Sequence, residues 1–158
     1  MIRVVLLILP VLVLLGGVEA ASAVQPQRNF ATHLVGDQEV PPVDTRAQGQ
    51  AIFHLSKDGD SINYRLIVAN IENVVQAHIH VGAVGVNGPV VVFLYGPAPI
   101  EGRFNGVLAT GTITADDLIG PLAGMTLDDL LEEMSTGNAY VNVHTTQNPG
   151  GEVRGQFR

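Results

Sequence analysis

Cysteine is absent from this 158-residue chain. No disulfide braces it, thiolate chemistry is excluded, and histidine and the carboxylates remain as its metal ligands. Lysine is nearly absent: Lys57 stands alone, and basic side chains number 8 against 15 acidic ones, for a formal net charge of −7. An acidic surface of this kind argues against nucleic acid and anionic membranes as partners. The sequence also lacks a nucleophile-elbow signature with a Ser-His-Asp order, and it lacks a closely spaced carboxylate pair in a pocket context. Hydrolase chemistry therefore ranks low.

A second long apolar run is missing too. The first, Val4 to Leu15, follows Arg3, is interrupted by Pro10 and gives way to small residues ending in Ala21–Ala23. That pattern predicts a signal peptide over residues 1–23, with Ala20 as the competing cleavage position. The run is short of the ~20 apolar residues of a membrane span; retention as an uncleaved anchor is the alternative. The mature chain is expected to be secreted or periplasmic, with no membrane contact after cleavage. Its charge stays at −7, because Arg3 and Glu19 leave together.

What remains is one domain's length, able to bury roughly two thirds of its unfolded surface. Residues 24–29 read as a polar lead and 30–158 as the domain. Alternating apolar residues predict strands at 30–34, 49–56, 61–71, 75–81, 89–95, 105–114, 139–144 and 151–157. Asp58-Gly59 marks a hairpin between the second and third. Phe53, Tyr64, Leu66, Ile79, Val91, Val141 and Val143 are the expected core. One short helix follows Thr126: Leu127, Leu130, Leu131 and Met134 share a face, Asp128 and Asp129 suit its start, and Gly137 ends it. The fold class is all-β, an antiparallel, Greek-key-like sandwich with one short helix.

The histidines carry the chemistry. His78 and His80 lie two apart in "QAHIHVGAVGVNG" and project from one face of a strand, ~6–7 Å apart along it. His144 ends "YVNVH". Convergence of these two strands would bring three imidazoles together as a copper or zinc site. The competing reading has the rings hydrogen-bonding to loops and fixing residues 82–88. His33 and His54 sit in ordinary alternating strands and read as structural. Asn142 shares a face with His144 and either orients it or pairs with a neighbouring strand. Glu152 and Arg154 flank Val153 on one face and read as a salt bridge.

"AHIHVGAVGVNGPVVV", "LAGMTLDDLLEEMSTGNAYVNVHT" and "NPGGEVRGQ" occur in the order and spacing of the CHRD domain, which they closely resemble. The resemblance implies a secreted β-rich module without catalytic residues, whose partner is an extracellular ligand or protein of unassigned identity. A weaker resemblance links "HIH" and "VNVHT" to the copper-binding strands of Cu,Zn superoxide dismutases. It implies a sandwich of that kind, copper as the cofactor, His78, His80 and His144 as its ligands, and Arg154 as an anion-attracting group. The zinc ligands, the bridging histidine and the disulfide of that family have no counterparts here. The expected function is a non-catalytic CHRD-type binding module; the alternative is a copper-binding protein with a His78/His80/His144 site, related to the dismutases in arrangement.

Overall fold

The computed structural model describes residues 27–158; the expected signal peptide lies outside the described residues. Seven strands form one antiparallel sheet: β1 Asn29–Val35, β2 Gln48–Leu55, β3 Ile62–Val81, β4 Val90–Tyr95, β5 Ile100–Ile113, β6 Ala139–Thr145 and β7 Val153–Gln156. The order β2-β1-β7-β6-β3 closes on itself through a further β2–β3 pairing, and β4 and β5 hang on β3. The result is a barrel-like sandwich of the expected class, with one α-helix.

β3 organises it. Its first half pairs with β2, from Leu55 opposite Ile62 to Gln48 opposite Ala69, and with β5. Its second half pairs with β6, His80 opposite Tyr140 and His78 opposite Asn142, and with β4. The alternation of the sequence suggests two strands here, broken between residues 71 and 75; the chain instead runs straight through. Asn70 and Asn73 take φ of 55° and 54°, a left-handed conformation that asparagine tolerates. Register shifts on either side of Ile71 and Glu72 mark them as bulges, which bend a strand without ending it. Asn73 Oδ1 accepts from Gly102 N–H and the Asn73 carbonyl from Thr146 N–H, so neighbouring segments absorb the irregularity.

The interior is apolar and continuous. Phe53, Leu66, Ile79, Val91, Val141 and Val143 are fully buried, as expected. Phe157 packs edge-on against Phe53 with ring centroids 5.4 Å apart, and Phe30 closes on Phe157 at 6.3 Å. Tyr64 also packs against this core, stacked on Phe53, but is half-buried, with its hydroxyl at the rim donating to the Leu94 carbonyl. The β2–β3 turn is the predicted hairpin, with Gly59 at a φ of 87°.

Helix α1, Leu127–Ser135, buries Leu127, Leu130, Leu131 and Met134. Asp129 Oδ2 accepts from both the backbone N–H and the hydroxyl of Thr126, which fixes its start. Among the described residues no helix is long and apolar enough to cross a membrane.

Candidate metal centre

On the second half of β3, on β6 and on β7, the odd-numbered residues Ala77, Ile79, Val141, Val143 and Val153 face the barrel core. The even-numbered residues point outward, where polarity would normally meet water. Here it does not. His78, His80, Tyr140, Asn142, His144, Arg154 and Gln156 are all buried. They form a polar layer between the barrel wall and three covering segments, residues 36–43, 82–88 and 147–151.

Hydrogen bonds tie those segments down. The Gly88 carbonyl meets His80 Nδ1 at 2.8 Å, and Gly88 N–H donates to the Tyr140 hydroxyl. Arg154 donates to the carbonyls of Ala83 and Val86 and to the side chains of Asn87 and Gln156. Asn87 Nδ2 donates to the Val40 carbonyl, joining two of the covers. Gly88 is required where it stands: a Cβ there would lie 1.7 Å from the Val81 carbonyl oxygen.

The three histidines of the sequence pattern converge. Ring centroids of His78 and His144 are 4.8 Å apart, those of His78 and His80 5.5 Å. One nitrogen from each lies within 4.8 Å of the others. His80 Nδ1 donates to Gly88 O, and His144 Nδ1 faces Pro149 O at 2.9 Å. A carbonyl only accepts, so the His80 proton sits on Nδ1 and its Nε2 presents a lone pair, whereas His144 meets an acceptor at each nitrogen. His78 Nδ1 stands 3.0 Å from His144 Nε2. The Nε2 atoms of His78 and His80 are buried without a hydrogen-bond partner.

Burial sets the charge state. Desolvation pushes His78 down to about 3, helped by His144 and His80 beside it. Desolvation also lowers His80 and His144. The rings are held neutral, the form that ligates metals.

Two planar groups brace the site from the side. β6 lies between β3 and β7, so Tyr140 receives His80 on one face and Arg154 on the other. The His80 and Tyr140 rings are 6° from parallel with centroids 4.8 Å apart, and the Arg154 guanidinium carbon is 3.4 Å from the Tyr140 centroid. From β4, Phe93 meets His78 edge-on at 4.7 Å.

One expectation needs correction. Glu152 and Arg154 do not pair. Glu152 accepts from the hydroxyls of Thr45 and Thr145 and from Gln147, while Arg154 clamps the 82–88 segment. The reason is neighbourhood: Glu152 is buried among Thr45, Thr145 and Gln147, and Arg154 is drawn to the 82–88 segment and Gln156. With its bonds turned to backbone carbonyls, Arg154 is a structural clamp before it is an anion attractor. Among the described residues the one ion pair is Arg103–Glu72, on the surface. His33 and His54 are exposed and outside the cluster, in keeping with their structural reading. Asn142 does meet His144, with Oδ1 at 2.9 Å from Nε2.

Glu39 was not signalled by the sequence. It lies in the Pro-rich loop, is buried, and its Oε1 has no partner. Desolvation raises its carboxyl to about 7, against the opposing pull of the Arg154 charge. A Cβ on Gly151 would lie 2.3 Å from that Oε1 and 2.8 Å from Asn142 Nδ2, so Glu39 and Asn142 flank the same glycine. Glu39 and Pro149–Gly151 also line a cleft of about 260 Å³.

Comparison with known proteins gives the chain its family. The CHRD domain profile matches residues 30–157. Chordin of Xenopus laevis is 29% identical over 132 residues, covering 78% of this chain and 12% of the relative. The chain thus spans a small part of that relative's length. No solved structure matches. With nearly the whole of the described fold inside the match, this chain belongs to the CHRD domain family.

Proposed function

We propose that the protein is a secreted, non-catalytic CHRD module that binds one copper ion through His78, His80 and His144. The observation that carries this reading is the set of three buried imidazoles with donor atoms within 4.8 Å of one another. The Gly88 carbonyl holds His80 in the tautomer that leaves Nε2 free, and the Pro149 carbonyl orients His144 from Nδ1, as outer partners of ligating histidines commonly do. The 3.0 Å between His78 Nδ1 and His144 Nε2 equals the spacing of two nitrogens at about 90° on a metal with bonds of ~2.1 Å. Nitrogen donors of this kind favour Cu(II) over Zn(II). The cleft beside Pro149–Gly151 offers an approach from solvent. Secretion rests on Arg3, the apolar run and Ala21–Ala23. Binding rather than turnover is proposed because the zinc subsite and disulfide of the bimetallic dismutases have no counterparts in the sequence.

Calorimetric titration of the protein with Cu(II) and Zn(II) at pH 7.5 tests this. One equivalent of copper is expected to bind, more tightly than zinc. His80→Ala is expected to weaken copper binding by more than about a hundredfold, beyond the usual cost of losing an outer-layer partner. His54→Ala is expected to leave it unchanged. Absent uptake, or equal affinity in wild type and His80→Ala, would return the chain to a metal-free binding module.

A further inference from the structure

The three histidines leave open what completes their coordination, and the hydrogen bonding of His144 bears on that directly. Its ring is pinned between two acceptors: Pro149 O at 2.9 Å from Nδ1 and Asn142 Oδ1 at 2.9 Å from Nε2. A neutral imidazole has one N–H and satisfies one of them. With the proton on Nδ1, the Nε2 lone pair can accept from His78 Nδ1, 3.0 Å away, but still faces the lone pairs of Asn142 Oδ1 at 2.9 Å. With the proton on Nε2, the Nδ1 lone pair faces those of the Pro149 carbonyl. A second proton would satisfy both, at the cost of a charge buried among two other imidazoles. A cation bound by both Nε2 and Oδ1 removes the conflict without it.

The orientation of Asn142 supports the same arrangement. Its Nδ2 is directed at the Gly150 carbonyl, 3.5 Å away, and lies beside Gly151 and the unpartnered oxygen of Glu39. That leaves Oδ1 as the atom facing the histidines. Asn142 stands opposite His78 in the β3–β6 register, and its side chain also reaches His80. It is 2% exposed, so water does not compete for it.

We infer that Asn142 Oδ1 is the fourth ligand of the centre, completing an N3O set that is closed to external ligands. This rests on the three-histidine reading proposed above. Oxygen from a carboxamide is an ordinary donor to a cation, and coordination polarises the amide so that Nδ2 donates more strongly to the Gly150 carbonyl. A site with its fourth position filled by protein holds its metal instead of offering it to substrate.

The test uses the full-length protein, Cu(II) alone and azide as the external ligand. Asn142→Ala is expected to weaken copper at least about tenfold and to open a position, so that azide develops its charge-transfer absorption at far lower concentration than with wild type. Asn142→Asp, nearly the same shape, is expected to retain copper, keep azide out and change the copper hyperfine splitting in electron paramagnetic resonance. It serves also if the alanine variant fails to fold. An unchanged spectrum in Asn142→Asp, or equal azide affinity in wild type and Asn142→Ala, would overturn the assignment while leaving a three-histidine site. Absence of copper binding in wild type would instead overturn the reading beneath it. A copper-loaded structure with Nδ2 turned towards His144 would also overturn the assignment.

Discussion

The two halves of β3 use the same geometry for opposite purposes. From Ile62 to Ala69 the strand alternates between buried apolar and more exposed residues, with Ile62, Leu66 and Val68 inside and Asn63 and Arg65 exposed. From Ala77 to His80 all four residues are buried. The first half has a core on one side and water on the other. The second has a core on one side and a roofed polar layer on the other. Burial of a polar side chain is costly unless its partners are in place, so the difference between the halves measures how much the covering segments supply.

Three experiments sharpen that contrast, in order of expected size. Phe53→Ala empties a fully buried position opposite Tyr64 in the first half. It is expected to cost ~3–5 kcal/mol of unfolding free energy. Denaturant unfolding gives that value, and copper uptake by the folded fraction should not change.

The second experiment is the pH dependence of stability in metal-free protein. Burial lowers His78 to about 3, and lowers His80 and His144 with it. Below the unfolded histidine value of ~6.5, the unfolded chain takes up protons that the folded chain refuses. The stability these groups contribute is whole above that value and falls as pH drops towards 3. Glu39 acts with the opposite sign. Its carboxyl holds a proton up to about 7 in the fold, while the unfolded chain releases it near the ordinary glutamate value. Its contribution is therefore present at low pH and lost as pH rises to neutrality. Glu39→Gln should make stability climb more steeply between the two values, measured by thermal unfolding across pH. A profile identical to wild type would place Glu39 outside this linkage.

The smallest effect belongs to Tyr140→Phe. It keeps the ring between His80 and Arg154 but leaves Gly88 N–H without its acceptor. About 1 kcal/mol of stability should be lost, with faster hydrogen exchange confined to the 82–88 segment.

These contrasts also explain what the sequence disclosed. Strand alternation, the Asp58-Gly59 turn and the Thr126-capped helix are local signals, and the fold follows them. The His78-His80 pair is also local, since period two puts both rings on one face. Their meeting with His144 depends on β3–β6 pairing across more than sixty residues, which the dismutase-like order suggested and alternation alone did not. Glu39 left no trace, because a loop residue in a Pro-rich stretch becomes important only through what closes over it. The Glu152–Arg154 pairing failed for a related reason. Same-face neighbours on a strand are natural partners only when nothing else competes, and here threonine hydroxyls and loop carbonyls do. The continuity of β3 was missed because the alternation lapses between residues 71 and 75, and Asn70 and Asn73 serve as bulges.

The division of β3, β6 and β7 into an inward odd set and an outward even set bears on inheritance. Substitutions at Ala77, Ile79, Val141 or Val143 are tested against the barrel, while those at His78, His80, Asn142 or His144 are tested against the roofed layer alone. A descendant of this chain can therefore keep the architecture intact while exchanging its chemistry, or lose the chemistry altogether. Kinship within the CHRD domain family predicts the barrel; the chemistry has to be read anew from the even positions of each member.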